Sequence, residues 1–458
     1  MTARTNRTTA VVGLGVSGMS CLRFLALSDD LVVIDSRARP ANLEQAQADF
    51  PTARFFLGAD SSKPERWQGV DRVVVSPGIA PDDALLAGSS AVSRLSDIDL
   101  FVAATSAPVI AITGTNGKST VTELVGHMLR DFGLHVGVGG NLGEPALDLL
   151  HADNDAYVLE LSSFQIQHSG VLPLSAATVL NLSVDHMDRH GSMAEYGSIK
   201  RRIYEGAQYC VVNADDVETH TASNSKYCSF GSDGSADWRL GVGGELQFQS
   251  VTFAHAKDFS LTGRHNMLNV LAAIALIAPA ETHGAKNLPG LPPFIGNESR
   301  YVNAAASFAG LSHRAEFVRE FAGVRYVNDS KATNVGATVA ALEGFPRSCS
   351  AQGEVPSVVL LAGGVGKGAD FAPLGRAAAG RVKTAMLFGE DAALLKQALA
   401  GHVPVELCLD FAGAVERARQ VAAAGDTVLL APACASFDMF ANFVERGDRF
   451  KELVEAFA

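Results

Sequence analysis

The chain is short of cysteine, of tryptophan, of positive charge and of long apolar runs. Its six cysteines (Cys21, Cys210, Cys228, Cys349, Cys408, Cys434) are scattered with no Cys-x-x-Cys pair. That leaves no disulfide framework, and the apolar or strand-like surroundings of most of them fit the reduced core thiols of a cytosolic protein. No uninterrupted apolar run reaches ~18 residues, and the start, Met-Thr-Ala-Arg-Thr-Asn-Arg-Thr-Thr, lacks the apolar core of a signal peptide. A soluble, cytoplasmic protein without membrane insertion is expected. The net charge of −12 argues against a general binder of nucleic acid or anionic membranes. Any phosphate ligand must then be held by local lysines, arginines and helix ends. Against these absences stand 44 glycines and a hydrophobic fraction of 47%, the composition of an α/β protein with many tight strand–helix turns. At 458 residues, two to four domains are expected.

The chain is organised around residues 108–132. Val109 to Ile112 form a β-branched, apolar run suited to a buried parallel strand. Thr113-Gly114-Thr115-Asn116-Gly117-Lys118-Ser119-Thr120 follows as a turn of glycines, small hydroxyls and one lysine. Val121, Leu124, Val125, Met128, Leu129 and Phe132 then recur on one helical face, with Gly133 at the C-terminal cap. A strand, a glycine turn and a helix N-terminus make an anion site in which backbone N–H groups, the helix dipole and Lys118 face a phosphate, and Ser119 offers a hydroxyl to Mg²⁺. Only two residues separate Gly114 from Gly117, fewer than the common phosphate loop has. The pattern reads as a nucleoside triphosphate site.

In front of it, strand Thr9–Val12 leads into Gly13-Leu-Gly15-Val16-Ser17-Gly18, and strand Leu31–Ile34 ends at Asp35-Ser36-Arg37. Three glycines after a strand and an acid about twenty residues on have the form of a dinucleotide fingerprint. The same turn serves any diphosphate on a helix N-terminus, and Arg37 suits a uridine-type ligand as well. Ser76-Pro77-Gly78 closes a third strand. After the phosphate loop come the glycine-rich Val136–Gly143, which exposes Asn141, and strand Ala156–Glu160 with its terminal acid. The next strand, Ala177–Leu182, leads to Ser183-Val-Asp185-His186-Met-Asp188. Parallel strands gather Lys118/Ser119, Glu160 and Asp185/His186 at one edge, and one Mg-ATP centre is expected there. Lys200 lies in a helix-like stretch; chemistry alone gives it a charge and, by default, exposure.

Residues 261–269 place polar side chains, His265, Asn266 and Asn269 among them, at the start of an alanine- and leucine-rich helix. Residues 283–310, rich in Pro, Gly and Ala, break the regular pattern and end in a boundary near 310. Beyond it, Val324–Asn328, Val358–Ala362 and Thr427–Ala431 read as strands. They are followed by Asp329–Asn334, Gly363-Gly364-Val365-Gly366-Lys367-Gly368 and Pro432-Ala-Cys434-Ala-Ser436-Phe437-Asp438. Such turns hold phosphate or carboxylate.

The ordered set of Thr113–Thr120, Glu160, Asp185–Asp188, His265-Asn266, His313-Arg314, Asn328–Asn334 and Pro432–Asp438 resembles the Mur ligases over essentially the full length. Among them it is most similar to the D-glutamate-adding members. The resemblance implies three α/β domains. Residues 1–96 would be a Rossmann-like domain binding a UDP-sugar rather than NAD, 97–310 a P-loop ATPase-like parallel-sheet domain, and 311–458 a Rossmann-like C-terminal domain that closes on the central one. Val16, Ser17, Ser36, Arg37, Ser76 and Gly78 match positions touching uridine and diphosphate, and Asn141 and His186 the diphosphate and muramoyl end. Gly114, Thr115, Asn116, Gly117, Lys118, Ser119 and Thr120 match the ATP loop, with Asn269, Arg314 and Asp329 as further nucleotide contacts. Ser119 and Glu160 would share one Mg²⁺. His186 and Lys200, the latter carrying a CO₂-derived carbamate, would serve a second, because a carbamate ligates a cation and an ammonium does not. Thr333, Lys367, Ser436, Phe437 and Phe443 match the glutamate pocket. One departure stands out: the family's Gly-Gly-Asp-Gly-Lys is here Gly363-Gly-Val365-Gly-Lys367.

The implied activity is an ATP-dependent amide ligation in peptidoglycan precursor synthesis. D-Glutamate would be added to UDP-N-acetylmuramoyl-L-alanine through an acyl phosphate, with Lys118, His186 and Lys200 as catalytic residues and the protein acting as a monomer. Three alternatives remain open at this point. An NAD-dependent dehydrogenase explains Gly13–Asp35 but leaves the Gly114–Thr120 loop idle. A folylpolyglutamate-type or L-glutamate-specific ligase shares the ATP core. A non-catalytic nucleotide-gated protein needs neither Glu160 nor Lys200.

Overall fold

The structure, a computed structural model, describes residues 7–89, 92–220, 226–261, 263–278, 288, 290–345, 348–350 and 353–457. The Asp188 side chain, Thr262 and part of the Pro-rich stretch lie outside the described residues. The chain divides into two compact units, one of Met1–Ala254 with Asn269–Ala305, the other of His255–Leu268 with Ala306–Ala458.

The first unit opens with β1 (Thr8–Val12), β2 (Asp30–Asp35), β3 (Arg54–Leu57), β4 (Arg72–Val75) and β5 (Ser93–Leu95), a parallel sheet in the order β3-β2-β1-β4-β5. Ala10, Val11, Val12, Val32, Val33, Ile34, Val73 and Val74 are buried on both faces, as parallel strands covered by helices require. The strand order reverses between β1 and β4, which opens a crevice at their carboxyl ends.

The same unit continues with β6 (Val109–Thr113), β7 (Val136–Gly140), β8 (Ala156–Glu160), β9 (Ala176–Val179), β10 (Tyr209–Asn213), β11 (Lys226–Gly231), β12 (Trp238–Leu240), β13 (Glu245–Phe248) and β14 (Val251–His255). They form one sheet, β14-β13-β12-β11-β10-β9-β6-β8-β7, parallel from β7 to β12, with β13 antiparallel to β12. The phosphate-loop strand β6 therefore lies between the strands that end in Glu160 and lead to Asp185. A continuous core joins this sheet to the first one through Cys21, Leu22, Leu25, Ile98, Phe101, Leu147 and Tyr157.

Three local readings are corrected. The glycine-rich Val136–Gly140 is itself a strand at the sheet edge. The strand expected over Ala177–Leu182 is Ala176–Val179, because the backbone of Asn181 leaves the ladder to bond the phosphate loop. Within 283–310, Glu298–Ala306 is a helix. Tyr301 on that helix donates to the Pro292 carbonyl at 2.7 Å and packs on Phe294, which meets the rings of Trp238, Phe248 and Phe253. This part of the Pro-rich stretch thus covers the antiparallel end of the sheet with aromatic surface.

The second unit holds β15 (Glu316–Phe321), β16 (Val324–Asn328), β19 (Val358–Gly363), β20 (Val382–Phe388), β21 (Val405–Leu407) and β22 (Thr427–Leu430), preceded at β19 by the small hairpin of β17 (Ser348–Ser350) and β18 (Gly353–Val355). Its sheet order is β15-β16-β22-β19-β20-β21, parallel except for the antiparallel edge strand β15. Among the described residues no helix is long and apolar enough to cross a membrane. Cys21, Cys210, Cys228, Cys408 and Cys434 are free thiols.

One buried acid in the first unit predicts a pH effect. Asp97, first residue of the helix Asp97–Ala104, is lifted by burial from 3.8 to about 6. Keeping it ionised at pH 7.5 costs about 3 kcal/mol. Its folded value lies above its unfolded one, so stability is gained as pH falls through 6 and levels off below 3.8. Asp97→Asn is expected to raise the urea midpoint at pH 7.5 and to lose that advantage by pH 4. An equal midpoint shift at both pH values would refute the assignment.

Candidate active site

The phosphate loop runs from β6 into the helix Lys118–Asp131. Gly117 has φ +83°, and a Cβ there would lie 2.7 Å from Asn269 Oδ1, so only glycine permits both the turn and the close approach of Asn269. Asn181 pins the loop reciprocally: its Oδ1 accepts from Asn116 N at 2.8 Å, and its Nδ2 donates to Asn116 O at 2.9 Å. Thr115 N also donates to the Asn181 carbonyl. Lys118 Nζ donates to the carbonyls of Gly114 and Thr115, at 3.0 and 2.7 Å. Thr120 is buried beside it.

Glu160, 3% exposed at the end of β8, joins two of the expected sites. Its Oε2 accepts from Ser119 Oγ at 2.6 Å and its Oε1 from Asn141 Nδ2 at 2.8 Å. Asn141 in turn lines a cleft of about 590 Å³ with Val16, Ser17, Ser36, Arg37, Ser76, Gly78 and Gln165. The six residues matched to uridine and diphosphate, and Asn141, are therefore gathered in this cleft at the reversal point of the first sheet, whereas His186 is not among its lining residues. Gly18 lets its helix pack against the turn at Gly13, which lines the cleft, since a Cβ there would lie 2.0 Å from the Gly13 carbonyl oxygen. Asp35 is buried and spent: it accepts from Leu14 N at 2.8 Å and from Arg37 Nε and Nη2 at 2.9 and 2.7 Å. Its carboxyl is held below the usual carboxylate range by those hydrogen bonds, which outweigh desolvation. An acid so engaged holds Arg37 in place and is not free to receive the ribose hydroxyls of a dinucleotide.

Lys200 is the largest correction. It is 2% exposed, on the helix Met193–Arg201, and its Nζ donates to Gly114 O at 2.9 Å and Thr113 Oγ1 at 3.2 Å. The face of Tyr196 lies 4.8 Å from it. Burial, reinforced by the Lys118 charge, pushes its amine well below the ordinary lysine value, against the attraction of Asp185 and Glu160. The helical spacing gave no sign of this, because the segment covering Lys200 is the phosphate loop itself. His186 sits at φ 55° before the helix Met187–His190, half exposed, with Asp185 at 3.8 Å. Its ring packs on Phe164, which packs on His190, which packs on Tyr196. Among the described residues no three His, Cys, Asp or Glu side chains form a metal-holding group.

In the second unit, Arg314 lines a cavity of about 440 Å³ with His265, Asn266, Glu316 and Arg325. Burial lowers His265 to about 4 and raises Asp329 to about 6, the latter against the pull of Arg314. Ser436 is buried, whereas Lys367 and Phe437 are exposed; Phe443 begins the last helix and its ring receives the Lys331 ammonium at 3.7 Å. Val365 pairs with Ala435 through two backbone hydrogen bonds of 2.9 Å, which join the turn of Lys367 to that of Ser436. The acid lacking at position 365 has a counterpart: Asp391 Oδ2 accepts from Gly366 N at 2.6 Å and so places a carboxylate on this turn from another element. Asn181, Gln165, Asp391 and Arg446 were not singled out from sequence. For Asn181 a signal existed, an amide at the end of a strand neighbouring the phosphate loop.

A nucleotide loop coupled to a diphosphate-sized cleft, with a separate sheet bearing carboxylate-type turns, defines a nucleotide-dependent ligase of the three-domain kind, and this chain belongs to the Mur ligase family. Profiles of the MurD-like N-terminal domain, the Mur ligase middle domain and the Mur ligase glutamate ligase domain match residues 7–93, 112–277 and 313–434. The chain is 42% identical over 446 residues to the UDP-N-acetylmuramoylalanine–D-glutamate ligase of Alcanivorax borkumensis, covering 96% of both chains. It is 43% identical over 460 residues to the enzyme of the same name from Marinobacter nauticus, covering 98% of both. In fold it is similar to a pseudomurein peptide ligase type C from Methanothermus fervidus (TM-score 0.60, 17% identity, 98% and 99% of the two chains). It is likewise similar to MurF from Acinetobacter baumannii (TM-score 0.60, 16% identity, 98% and 93%).

Proposed function

We propose that this protein is an ATP-dependent ligase that joins D-glutamate to the alanyl carboxylate of UDP-N-acetylmuramoyl-L-alanine, acting in the cytoplasm as a monomer. The observation that carries this reading is the double engagement of Glu160. One carboxylate oxygen meets the phosphate loop through Ser119, and the other meets the sugar-nucleotide cleft through Asn141. A γ-phosphate on the loop then faces the far end of a substrate lying in the cleft.

A carboxylate is a poor acyl donor, and its oxygen must first become part of a leaving group. The alanyl carboxylate attacks the γ-phosphorus; the new P–O bond forms as the bond to ADP breaks, giving an acyl phosphate. Lys118 and the N–H groups of the loop offset charge on the transferring oxygens. Neutral glutamate amine then attacks the acyl carbon, phosphate departs, and the nitrogen loses a proton to leave the amide. Ser119 and Glu160 would offer hard oxygen ligands to one Mg²⁺, and a carbamate on Lys200 would offer oxygens, with a ring nitrogen of His186, to a second. Bound there, Mg²⁺ would supply charge neutralisation at phosphoryl oxygens. A buried amine with a depressed pKa is the neutral nucleophile that CO₂ addition needs, which supports the carbamate on Lys200. Thr333, Lys367, Ser436, Phe437 and Phe443 would hold glutamate, with Lys367 and Ser436 on its carboxylate. Asn269, Arg314 and Asp329 would contact nucleotide.

The test is phosphate release from ATP with the sugar nucleotide and D-glutamate, L-glutamate or no amino acid. Release that needs both the sugar nucleotide and D-glutamate, with an amide product by mass, is expected. Dependence on L-glutamate would overturn the stereochemical assignment. Absence of release alongside tight NADH binding would overturn the ligase reading.

A further inference from the structure

Arg446 is the most deeply buried charged side chain of the second unit at 0% exposure, and its hydrogen-bond partners are all neutral. Nε donates to Ser330 Oγ at 3.0 Å. Nη2 donates to the carbonyls of Ser330 and Cys434 at 2.9 and 3.2 Å, and Nη1 to those of Cys434 and Gly363 at 3.2 and 3.5 Å. Ser330 and Cys434 lie in the segments that follow β16 and β22, and Gly363 is the last residue of β19, so the acceptors stand at the carboxyl ends of three neighbouring strands. Ser330 lies three residues before Thr333, Gly363 four before Lys367, and Cys434 two before Ser436. A single planar fork thus ties together the roots of all three segments, and the Val365–Ala435 pairing holds two of them to each other above it. Burial lowers the guanidinium to about 10, so the group keeps its charge at neutral pH.

A buried guanidinium is costly unless its hydrogen bonds are met, and an apolar side chain would fill the same space without a charge but leave these acceptors without donors. Placing five donors and a charge that meets the Asp438 carboxylate only through space, with no carboxylate among its hydrogen-bond partners, at the carboxyl edge of the sheet, where ligands of open α/β sheets bind, does two things. It fixes loop geometry, and it leaves a positive field for an anion. We infer that Arg446 is the positioning residue of the amino-acid site, setting the three segments that carry Thr333, Lys367 and Ser436 and biasing that site toward an acidic amino acid. The inference rests on the glutamate assignment made above.

The experiment compares full-length wild type with Arg446→Lys, which keeps the charge and loses the fork, and Arg446→Met, which loses both. Hydrogen exchange is expected to speed up together in segments 328–334, 363–368 and 432–437 of Arg446→Lys and to stay unchanged at 113–120. The D-glutamate KM is expected to rise about 10-fold in Arg446→Lys and about 100-fold in Arg446→Met. The KM values for ATP and the sugar nucleotide should stay within about twofold. Exchange that rises in one segment only, or throughout the chain, overturns the inference, as does an unchanged glutamate KM or the failure of both variants to fold. If wild type does not consume D-glutamate, the functional assignment fails, and the exchange pattern still decides the role of Arg446.

Discussion

Replacing Lys200 with methionine is expected to make the protein more stable and to reduce ligation by about 10³-fold. The two effects have one origin. In the folded chain the amine is enclosed by Gly114 O, Thr113 Oγ1 and the Tyr196 ring, near the charge of Lys118. Its pKa is depressed on folding, so below the ordinary value of 10.5 the unfolded chain binds the proton more readily and folding is penalised. That penalty grows as pH falls from 10.5 toward the folded value and is absent above 10.5. Methionine fills the space without a charge. Replacing buried ionic groups by apolar side chains of similar volume is neutral or stabilising by about 1–4 kcal/mol, so in CO₂-free buffer, where the amine is free, a higher Tm is expected at pH 7.5 and no difference near pH 11. A lower Tm at pH 7.5 would refute the burial argument, and wild-type turnover would remove Lys200 from the chemistry. With ¹³C-labelled bicarbonate, wild type should show a carbamate carbon resonance that Lys200→Met lacks.

The second large effect is expected at Lys118. Lys118→Ala should lower kcat/KM by about 10³-fold with little change in Tm. Lys118 Nζ bonds Gly114 O and Thr115 O of its own loop, contacts that a bound phosphate would compete for. Loop shape is set elsewhere, by Asn181 and by the glycine at 117, so removing the lysine leaves the cradle standing and takes away its charge. Steady-state ligation and a thermal melt check both halves. An unfolded variant, or one with native kcat/KM, would refute the separation of loop shape from charge.

Much of the architecture was legible because its signals are local. Short β-branched runs, glycine turns and helical spacing mark β1, β2, β4, β6, β8, β16, β19 and β22, and the residues at their ends need only strand adjacency to converge. The turns that carry Val16, Ser17, Ser36, Arg37, Ser76 and Gly78 could be placed at strand ends for that reason, while their assignment with Asn141 to one ligand came from the family resemblance. What stayed hidden depends on contacts between distant segments. Lys200 reads as a surface lysine until the phosphate loop is laid over it. Asp391 cannot be matched to the turn of Val365 from their separation in sequence. The acid of the Gly13–Asp35 fingerprint is the instructive case: spacing offered it to a ribose, whereas Arg37, two residues on, takes it.

The reciprocal amide pair of Asn116 and Asn181 has a thermodynamic consequence. A phosphate loop already closed by Asn181 gives up its conformational entropy when the chain folds, before any nucleotide arrives. Nucleotide association should then be enthalpy-led, its heat dominated by phosphate contacts with little opposing ordering. Loosening the amide pair would shift the balance of enthalpy and entropy in calorimetry more than it shifts affinity.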